Sequence, residues 1–184
     1  MKGYITIITF TVIIITANID VICPRDHGRD FGDVLEEEMN ICPLVNCTDS
    51  FFGFQAPYPA LFIPERSVSD SIIGCYRFCY NNIVDITIDC YVCRNIGCDD
   101  TDGGLSRLAQ TMKGKVISDA DGNFIYGPAA DGDCYRDGYS RFTKCVAKDK
   151  LWCIYSLTFP DKYAERLRRL FAVVRQWEPW IETS

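Results

Sequence analysis

The chain has 184 residues, a net charge of −6 and 48% apolar residues, and it contains eleven cysteines. This length suits one ordinary domain with its own hydrophobic core and is too short for a second full domain. The acidic balance disfavours nucleic acid as a partner, because no dense basic patch with interleaved aromatic residues offsets it.

The first residues have the pattern of a secretory signal peptide. Lys2 precedes an apolar run from Ile5 to Ile15, which is too short to span a bilayer comfortably. Cleavage after Ala17 is predicted because a small residue is required there, and a retained anchor is the alternative. No later stretch is apolar enough to cross a membrane. The sequence therefore predicts a secreted, extracellular protein whose residues 1–17 are removed.

The cysteines predict a disulfide framework, because an oxidising compartment favours disulfide bonds over metal-binding or catalytic thiols. All eleven lie beyond the predicted cleavage point, so an odd one must be free or bonded outside the domain. Cys23 is the predicted odd cysteine, since it stands alone in a charged segment near the mature N-terminus. Pairing between two copies of Cys23 would give a disulfide-linked dimer. The other ten, whose connectivity stays open, are Cys42, Cys47, Cys75, Cys79, Cys90, Cys93, Cys98, Cys134, Cys145 and Cys153.

Residues 18–41 form a polar, acidic segment that is poor in aromatic residues. The stretch from Asp33 to Met39 fits a short helix. We expect the whole segment to be an extended or frayed N-terminal arm rather than part of the core. It also contains His27, the one histidine of the chain.

The segment from Cys42 to Pro64 is dense in aromatic rings and prolines, and proline at this density argues against a helix or a central strand. An ordered apolar loop is therefore predicted. Either its rings cover the core, or the loop is exposed and docks on a partner. The candidate binding residues are Phe51, Phe52, Phe54, Tyr58 and Phe62. Within the same segment, Asn46-Cys47-Thr48 matches an N-glycosylation acceptor, which predicts a surface loop with a glycan on Asn46.

The stretch from Cys75 to Cys98 is the predicted centre of the fold. It carries five cysteines around an alternating strand that runs from about Ile83 to Cys93. Such a period of two is typical of a half-buried strand. The residues predicted on one side are Ile86, Ile88, Cys90 and Val92, and those on the other are Asp85, Thr87, Asp89 and Tyr91.

Helical and strand patterns alternate in the second half of the chain. A short amphipathic helix is predicted from about Leu105 to Lys113. Two β-hairpins follow, over residues 115–128 and 139–159. A C-terminal helix begins near Pro160, with Thr158 as its predicted cap. Its apolar stripe, which predicts packing on the sheet, is Tyr163, Leu167, Leu170, Phe171, Val174 and Trp177.

No pattern of catalytic or metal-binding residues is convincing. His27 lies in the polar arm, whereas a Ser-His-Asp or Cys-His site needs a positioned imidazole. Cys90 and Cys93 have zinc-ligand spacing but lack a second pair and a thioredoxin-like context. The acidic turns 99–103 and 119–123 fit an EF-hand loop poorly, because the first ligand position of each falls on a residue without a side-chain oxygen. We therefore predict no enzyme activity, no metal and no cofactor.

Together these patterns predict a small, disulfide-rich, secreted α+β domain over residues 42–184, with a mostly antiparallel sheet and a C-terminal amphipathic helix packed on it. The predicted function is non-catalytic binding of another extracellular protein, as an inhibitor, ligand or effector. A secreted hydrolase that uses carboxylates and a disulfide-linked structural component of the extracellular space are the alternatives.

Overall fold

The computed structural model describes residues 29–65, 74–81, 84–131 and 134–180. The predicted signal peptide, Cys23 and His27 lie outside these residues. The described helices are α1 (Phe31–Ile41), α2 (Leu105–Thr111) and α3 (Arg168–Gln176), and a 3₁₀ helix (Asp161–Leu167) leads into α3. The described strands are β1 (Leu44–Asp49), β2 (Phe54–Pro59), β3 (Ile63–Glu65), β4 (Cys75–Asn81), β5 (Asp85–Arg94), β6 (Lys115–Asp119), β7 (Gly122–Asp131), β8 (Cys134–Lys148) and β9 (Leu151–Pro160).

Seven of these strands form one antiparallel sheet in the order β3-β4-β5-β9-β8-β7-β6, and β1 pairs with β2 in a separate hairpin. The prediction of an α+β fold with a mostly antiparallel sheet and a C-terminal helix is confirmed. β9 is the middle strand of the sheet and pairs with β5, so that Thr87 lies opposite Thr158. The two predicted later hairpins correspond to β6-β7 and β8-β9.

The predicted alternation in β5 separates the two faces of the sheet. Ile86, Ile88 and Cys90 are at most 1% exposed and lie on one face, which we call the inner face. Thr87 and Asp89 lie on the opposite, outer face and are half-buried. The inner face is covered by α1, the 3₁₀ helix, α3 and the β1-β2 hairpin. The outer face carries α2 over part of its area and is otherwise polar.

The C-terminal helix packs its apolar stripe on the inner face, as predicted. The stripe residues buried to at most 2% exposure are Leu167, Leu170, Val174 and Trp177. The α-helix begins at Arg168 rather than near Pro160, because residues 161–167 form a 3₁₀ helix. Thr158 does not cap this helix, since it belongs to β9 and is paired with the neighbouring strands.

The interpretation of the acidic arm as frayed is wrong for the part that forms α1. Leu35 and Met39 are fully buried in the inner-face core. The Arg166 guanidinium lies 2.8 Å from carboxylate oxygens of both Asp33 and Glu36, which holds α1 against the 3₁₀ helix. Because these partners are about 130 positions apart in the chain, local composition does not reveal them. The domain therefore begins before residue 42.

The proline-rich segment forms a β-hairpin rather than the predicted loop. β1 and β2 pair from Leu44 opposite Pro59 to Asp49 opposite Phe54. β2 is an edge strand, where proline is tolerated because no ladder hydrogen bond is lost on the unpaired side. Two core side chains, Tyr155 and Trp177, donate hydrogen bonds to the edge of β2 that does not pair with β1.

Tyr155 and Trp177 join the hairpin to the sheet and to the end of α3. The Tyr155 hydroxyl donates to the carbonyl of Pro57, and the Trp177 indole N–H donates to the carbonyl of Gln55 at 2.6 Å. The Gln55 N–H donates in turn to the carbonyl of Pro179 at 2.9 Å. The rings of Tyr155 and Trp177 pack with their centroids 5.1 Å apart. These hydrogen bonds satisfy backbone groups of β2 that a neighbouring strand would bind in a larger sheet.

We expect Trp177→Phe to destabilise the fold by more than its loss of volume explains, because the Gln55 carbonyl loses its indole donor. The expected excess is about 1–3 kcal/mol in the free energy of unfolding, measured in urea. Trp152→Phe is the matched control, since Trp152 is also buried and its indole makes no hydrogen bond to the described residues. Equal losses for the two variants would show that the bond contributes nothing.

Candidate binding surface

The structure divides the five predicted binding residues between core and surface. Phe54 is fully buried and Phe62 is 2% exposed. Tyr58 is half-buried and stacks on Phe78, with ring centroids 3.8 Å apart. These rings therefore cover the core, which was one of the two interpretations of the segment. The docking hypothesis narrows to the remaining pair, Phe51 and Phe52, and stays a prediction.

Phe51 and Phe52 occupy the turn between β1 and β2. The Phe51 side chain is 71% exposed, whereas Phe52 is half-buried and contacts it edge to face at 4.8 Å. Gly53 has φ +68° and its N–H donates to the Asp49 carbonyl at 3.0 Å, which closes the turn. The turn thus presents one large ring to solvent while the next ring points inward.

A buried carboxylate holds this turn in place. Asp49 is 2% exposed and accepts hydrogen bonds from the Phe52 N–H at 2.6 Å and from the Tyr76 hydroxyl at 2.8 Å. Burial, and next the bond to Asp49, raise the pKa of Tyr76 well above its usual value, so that it remains a donor. The turn is therefore tied to β4 of the sheet rather than only to its own hairpin.

An apolar pocket of about 200 Å³ lies beside Phe51. Phe51, Phe52, Leu151 and Trp180 surround it, and we call these four residues the Phe51 surface. Val92 and Cys153 contribute the inner part of its lining. Leu151 is 37% exposed even though it is a strand residue. Three distant parts of the chain thus meet here: the β1-β2 turn, the β8-β9 turn and the segment after α3.

Charged side chains form the rim of this pocket. Trp180 is held beside them by a hydrogen bond and by a contact with Lys148. The Trp180 indole N–H donates to the Phe52 carbonyl at 3.3 Å, and the Lys148 ammonium lies 4.7 Å from the centre of the Trp180 ring. Asp149 lines the pocket next to Lys148. An apolar centre within a polar rim is the usual arrangement of protein interfaces. The apolar centre of this pocket suits contact with an apolar side chain.

Sequence reasoning missed Leu151 and Trp180 as members of this surface. Leu151 follows a charged turn and has the pattern of an ordinary strand residue. Trp180 comes directly after Pro179, where the helical pattern ends. An aromatic residue beyond the end of a helix was the one available signal, but only the folded chain shows that it meets Phe52.

The ten described cysteines are free thiols in the structure, and their predicted disulfide bonds stay a prediction. Four of them lie on the outer face of the sheet and four lie on the inner face or in the layer that covers it. The outer four are Cys75, Cys79, Cys93 and Cys145, and the inner four are Cys42, Cys47, Cys90 and Cys153.

Cys90 and Cys93 point to opposite faces of β5, so the CxxC spacing does not bring their sulfur atoms together. Cys90 instead contacts Cys153 on the neighbouring strand, where the two are diagonal neighbours on the inner face. Burial, and next the contact with Cys153, raise the pKa of the Cys90 thiol. Burial and a hydrogen bond to Glu65 raise the pKa of Cys79 to about 12. Such thiols are poor nucleophiles because little thiolate forms.

In the acidic turns, carboxylate oxygens of Asp102 and Asp119 already accept hydrogen bonds from nearby backbone N–H groups. Asp102 accepts hydrogen bonds from the N–H groups of Ser106 at 2.7 Å and Gly104 at 3.0 Å. Asp119 accepts from the Asp121 N–H at 2.9 Å and pairs with Arg175. Among the described residues, no group of three or more His, Cys, Asp or Glu side chains could hold a metal ion.

Asn46 is exposed on β1, opposite Pro57, and so lies on a strand rather than in the predicted loop. The residue is therefore accessible to solvent. Glycosylation of Asn46 stays a prediction.

No family model and no curated protein matches the chain. Among solved structures, the fold is similar to the solution structure of cyanobacterial PsbP (CyanoP) from Synechocystis sp. PCC 6803, with a TM-score of 0.47 and 13% identity. The similarity covers 73% of this chain and 90% of that one. A likeness of this strength supports no conclusion about function. None of the helices in the described ranges is both long enough and apolar enough to span a membrane.

Alanine substitutions separate the structural from the exposed rings of the hairpin. We expect Phe54→Ala to lower the free energy of unfolding by about 3–5 kcal/mol, because it leaves a cavity in the core. Phe51→Ala is expected to change it by less than about 0.5 kcal/mol, because most of that ring already contacts water. Urea unfolding of both variants measures the difference, and a large loss for Phe51→Ala would show that this ring is structural.

Proposed function

We propose that this protein is a secreted, non-catalytic binding protein that docks on another extracellular protein through the Phe51 surface. The observation that carries the proposal is a phenylalanine that is 71% exposed at a fixed turn beside an apolar pocket. Exposed apolar groups that cluster on a monomer often mark an interaction site, and aromatic residues often dominate the affinity of interfaces.

The shape of this surface specifies what the partner must offer. The pocket of about 200 Å³ would hold one large apolar side chain of the partner, while Phe51 projects from the rim into the partner's own surface. The Asp49 bonds fix the turn before binding, which lowers the entropy cost of association. Lys148 and Asp149 add one charge of each sign at the rim, so they would orient the partner rather than select for a highly charged one.

The state of the thiols supports a role without catalysis. Burial is the first cause that raises the pKa of Cys47, Cys75, Cys79, Cys90, Cys93 and Cys145. A catalytic cysteine requires the opposite, a pKa lowered by a nearby cation or base. These cysteines are therefore better suited to holding the structure together than to attacking a substrate.

Binding through the Phe51 surface is tested with the mature chain and one double variant. Phe51→Ser with Leu151→Ser is expected to weaken binding to a purified captured partner by about 30-fold or more, as loss of an interface hot spot does. Val116→Ser with Ile117→Ser is the matched control, because these β6 side chains are also exposed, at 39% and 41%. Surface plasmon resonance with the partner measures both.

Two results would contradict this proposal. One is unchanged affinity of the Phe51 and Leu151 double variant, which would place the contact elsewhere. The other is self-association of the wild-type chain in sedimentation velocity that the same variant abolishes, which would identify a second copy as the occupant of the surface.

Disulfide bonding in the secretory compartment forms part of the proposed function, and Cys90 and Cys153 are a pair that the fold brings into contact. Oxidation would join the two sulfur atoms at about 2.05 Å. It would release two protons and pass two electrons to a disulfide oxidant, such as glutathione disulfide or an oxidoreductase, which is reduced to its thiols. Because the folded core suppresses the Cys90 thiolate, we expect the bond to form before the inner face closes.

Peptide mapping of the secreted protein without reduction checks this pair. A peptide that links Cys90 to Cys153 is the expected result. In protein that is folded but reduced, Cys90 should resist iodoacetamide until denaturant is added, whereas the exposed Cys134 should react at once. Recovery of Cys90 and Cys153 as separate alkylated peptides from the denatured, unreduced protein would contradict the pairing.

A further inference from the structure

A second pocket lies on the polar part of the outer face, on the opposite side of the sheet from the inner-face residues that line the pocket beside Phe51. Its volume is about 160 Å³. Four strands of the large sheet supply its polar side chains, so its geometry is set by rigid elements. These polar side chains are Arg77 from β4, Thr87 and Asp89 from β5, Arg136 and Arg141 from β8, and Thr158 from β9.

Arg141 is the arginine of this pocket whose positive charge is not paired with a carboxylate among the described residues. Its Nη2 donates to the carbonyl of Ala130 at 2.7 Å, which satisfies one donor but supplies no negative charge. Its Nε is buried and has no hydrogen-bond acceptor among the described residues. Burial also raises the pKa of the nearby Tyr91, so that this hydroxyl stays neutral. A buried donor without a partner is costly and therefore calls for an explanation.

The other two arginines are paired with carboxylates at the edges of the pocket. Arg77 binds Asp89 through Nε at 2.6 Å and through Nη2 at 3.4 Å. Arg136 pairs with Asp85 through Nη2. Each guanidinium has five N–H donors, so both keep donors for a further acceptor. The ion pairs also neutralise Asp89 and Asp85, which would otherwise repel an anion.

Hydroxyl groups complete the polar wall. Thr87 lies directly opposite Thr158 across the β5-β9 pair, and Thr158 lies opposite Arg141 across the β9-β8 pair. The three side chains are therefore in one row on the outer face. On the far side, β7 has an irregular register between Pro128 and Ala130, and such bulges often re-aim groups next to binding sites.

We propose that this pocket binds a tetrahedral oxyanion, a phosphate or sulfate group, with Arg141 as its principal contact. Donors reach the pocket from β4, β5, β8 and β9, which suits an acceptor with oxygen atoms in several directions. Guanidinium groups form strong, charge-assisted hydrogen bonds with such oxyanions. The Arg141 Nε–H would then gain the acceptor that the described residues do not give it. This proposal does not depend on the Phe51 surface.

The test is a titration of the isotope-labelled mature chain with sodium sulfate and with sodium phosphate, at constant ionic strength held by sodium chloride. Saturable shifts of amide signals in β4, β8 and β9 are expected. Arg141→Gln should weaken the binding of either anion by about tenfold or more, which corresponds to loss of a charge-assisted hydrogen bond. Arg168→Gln is the matched control and should bind as the wild type does, because Arg168 is an exposed arginine paired with Glu165 on the 3₁₀ and α3 segment.

Two further variants and a competing anion distinguish the possible outcomes of the titration. Arg141→Lys retains the charge but loses Nε, and should bind with intermediate affinity. If Arg141→Gln does not fold, Thr87→Val replaces it and should weaken binding by a smaller factor. Sodium acetate should not compete; equal competition would overturn the tetrahedral assignment. Phosphate binding that strengthens as the pH rises through the second ionisation of inorganic phosphate, with sulfate binding unchanged, would support the proposal and identify the doubly charged phosphate as the better ligand. The absence of a saturable shift, or equal affinity of Arg141→Gln and wild type, would overturn the proposal.

Discussion

The hydrogen bonds from Tyr155 and Trp177 to the backbone of β2 determine where the β1-β2 hairpin lies. An isolated hairpin is marginally stable in water, and this one has two prolines in the strand that faces the core. Its position therefore depends on donors from the middle strand of the sheet and from the end of α3. Burial raises the pKa of Tyr155, so its hydroxyl keeps the proton that it donates. The site of the Phe51 turn follows from these two bonds and from the Asp49 carboxylate.

The two faces of the sheet have different roles because their residues alternate along each strand. The inner face is apolar and is closed by three helical segments and the hairpin. Among the described residues, the outer face is covered where α2 packs on Trp152, Ile154 and Ile125. Beyond α2 it presents arginines and threonines, as antiparallel sheets commonly do on a solvated face. The Phe51 surface lies at the edge of the inner layer, and the pocket that contains Arg141 lies on the part of the outer face beyond α2.

The sequence predicts those features that repeat over a few residues. The alternation in β5, the β6-β7 hairpin and the stripe of α3 all depend on local spacing, and all three are found in the structure. The acidic segment of α1 and the hairpin were misjudged for a common reason. Their stability comes from distant partners, such as Arg166 for Asp33 and Trp177 for Gln55. No window of sequence contains both members of either pair.

The candidate sites could be predicted only in part, for the same reason. Phe51 and Phe52 stand out in the sequence because aromatic residues are dense there. However, the same density hid the fact that Phe54 and Phe62 belong to the core. The sequence around Arg141 gives no sign of its role, since that role depends on the burial of Nε and on the meeting of β8 with Arg77 of the distant strand β4.

The placement of cysteines on both sides of one sheet would limit the wrong disulfide pairings if the thiols were oxidised. Thiol exchange requires a thiolate to touch the disulfide that it attacks, and a formed sheet separates the four outer cysteines from the four inner ones. Eight cysteines that mix freely can pair in on the order of a hundred ways, whereas two separate groups of four have on the order of ten. If β5 and β9 pair early in folding, they would therefore exclude most non-native disulfide pairings before any disulfide bond is made.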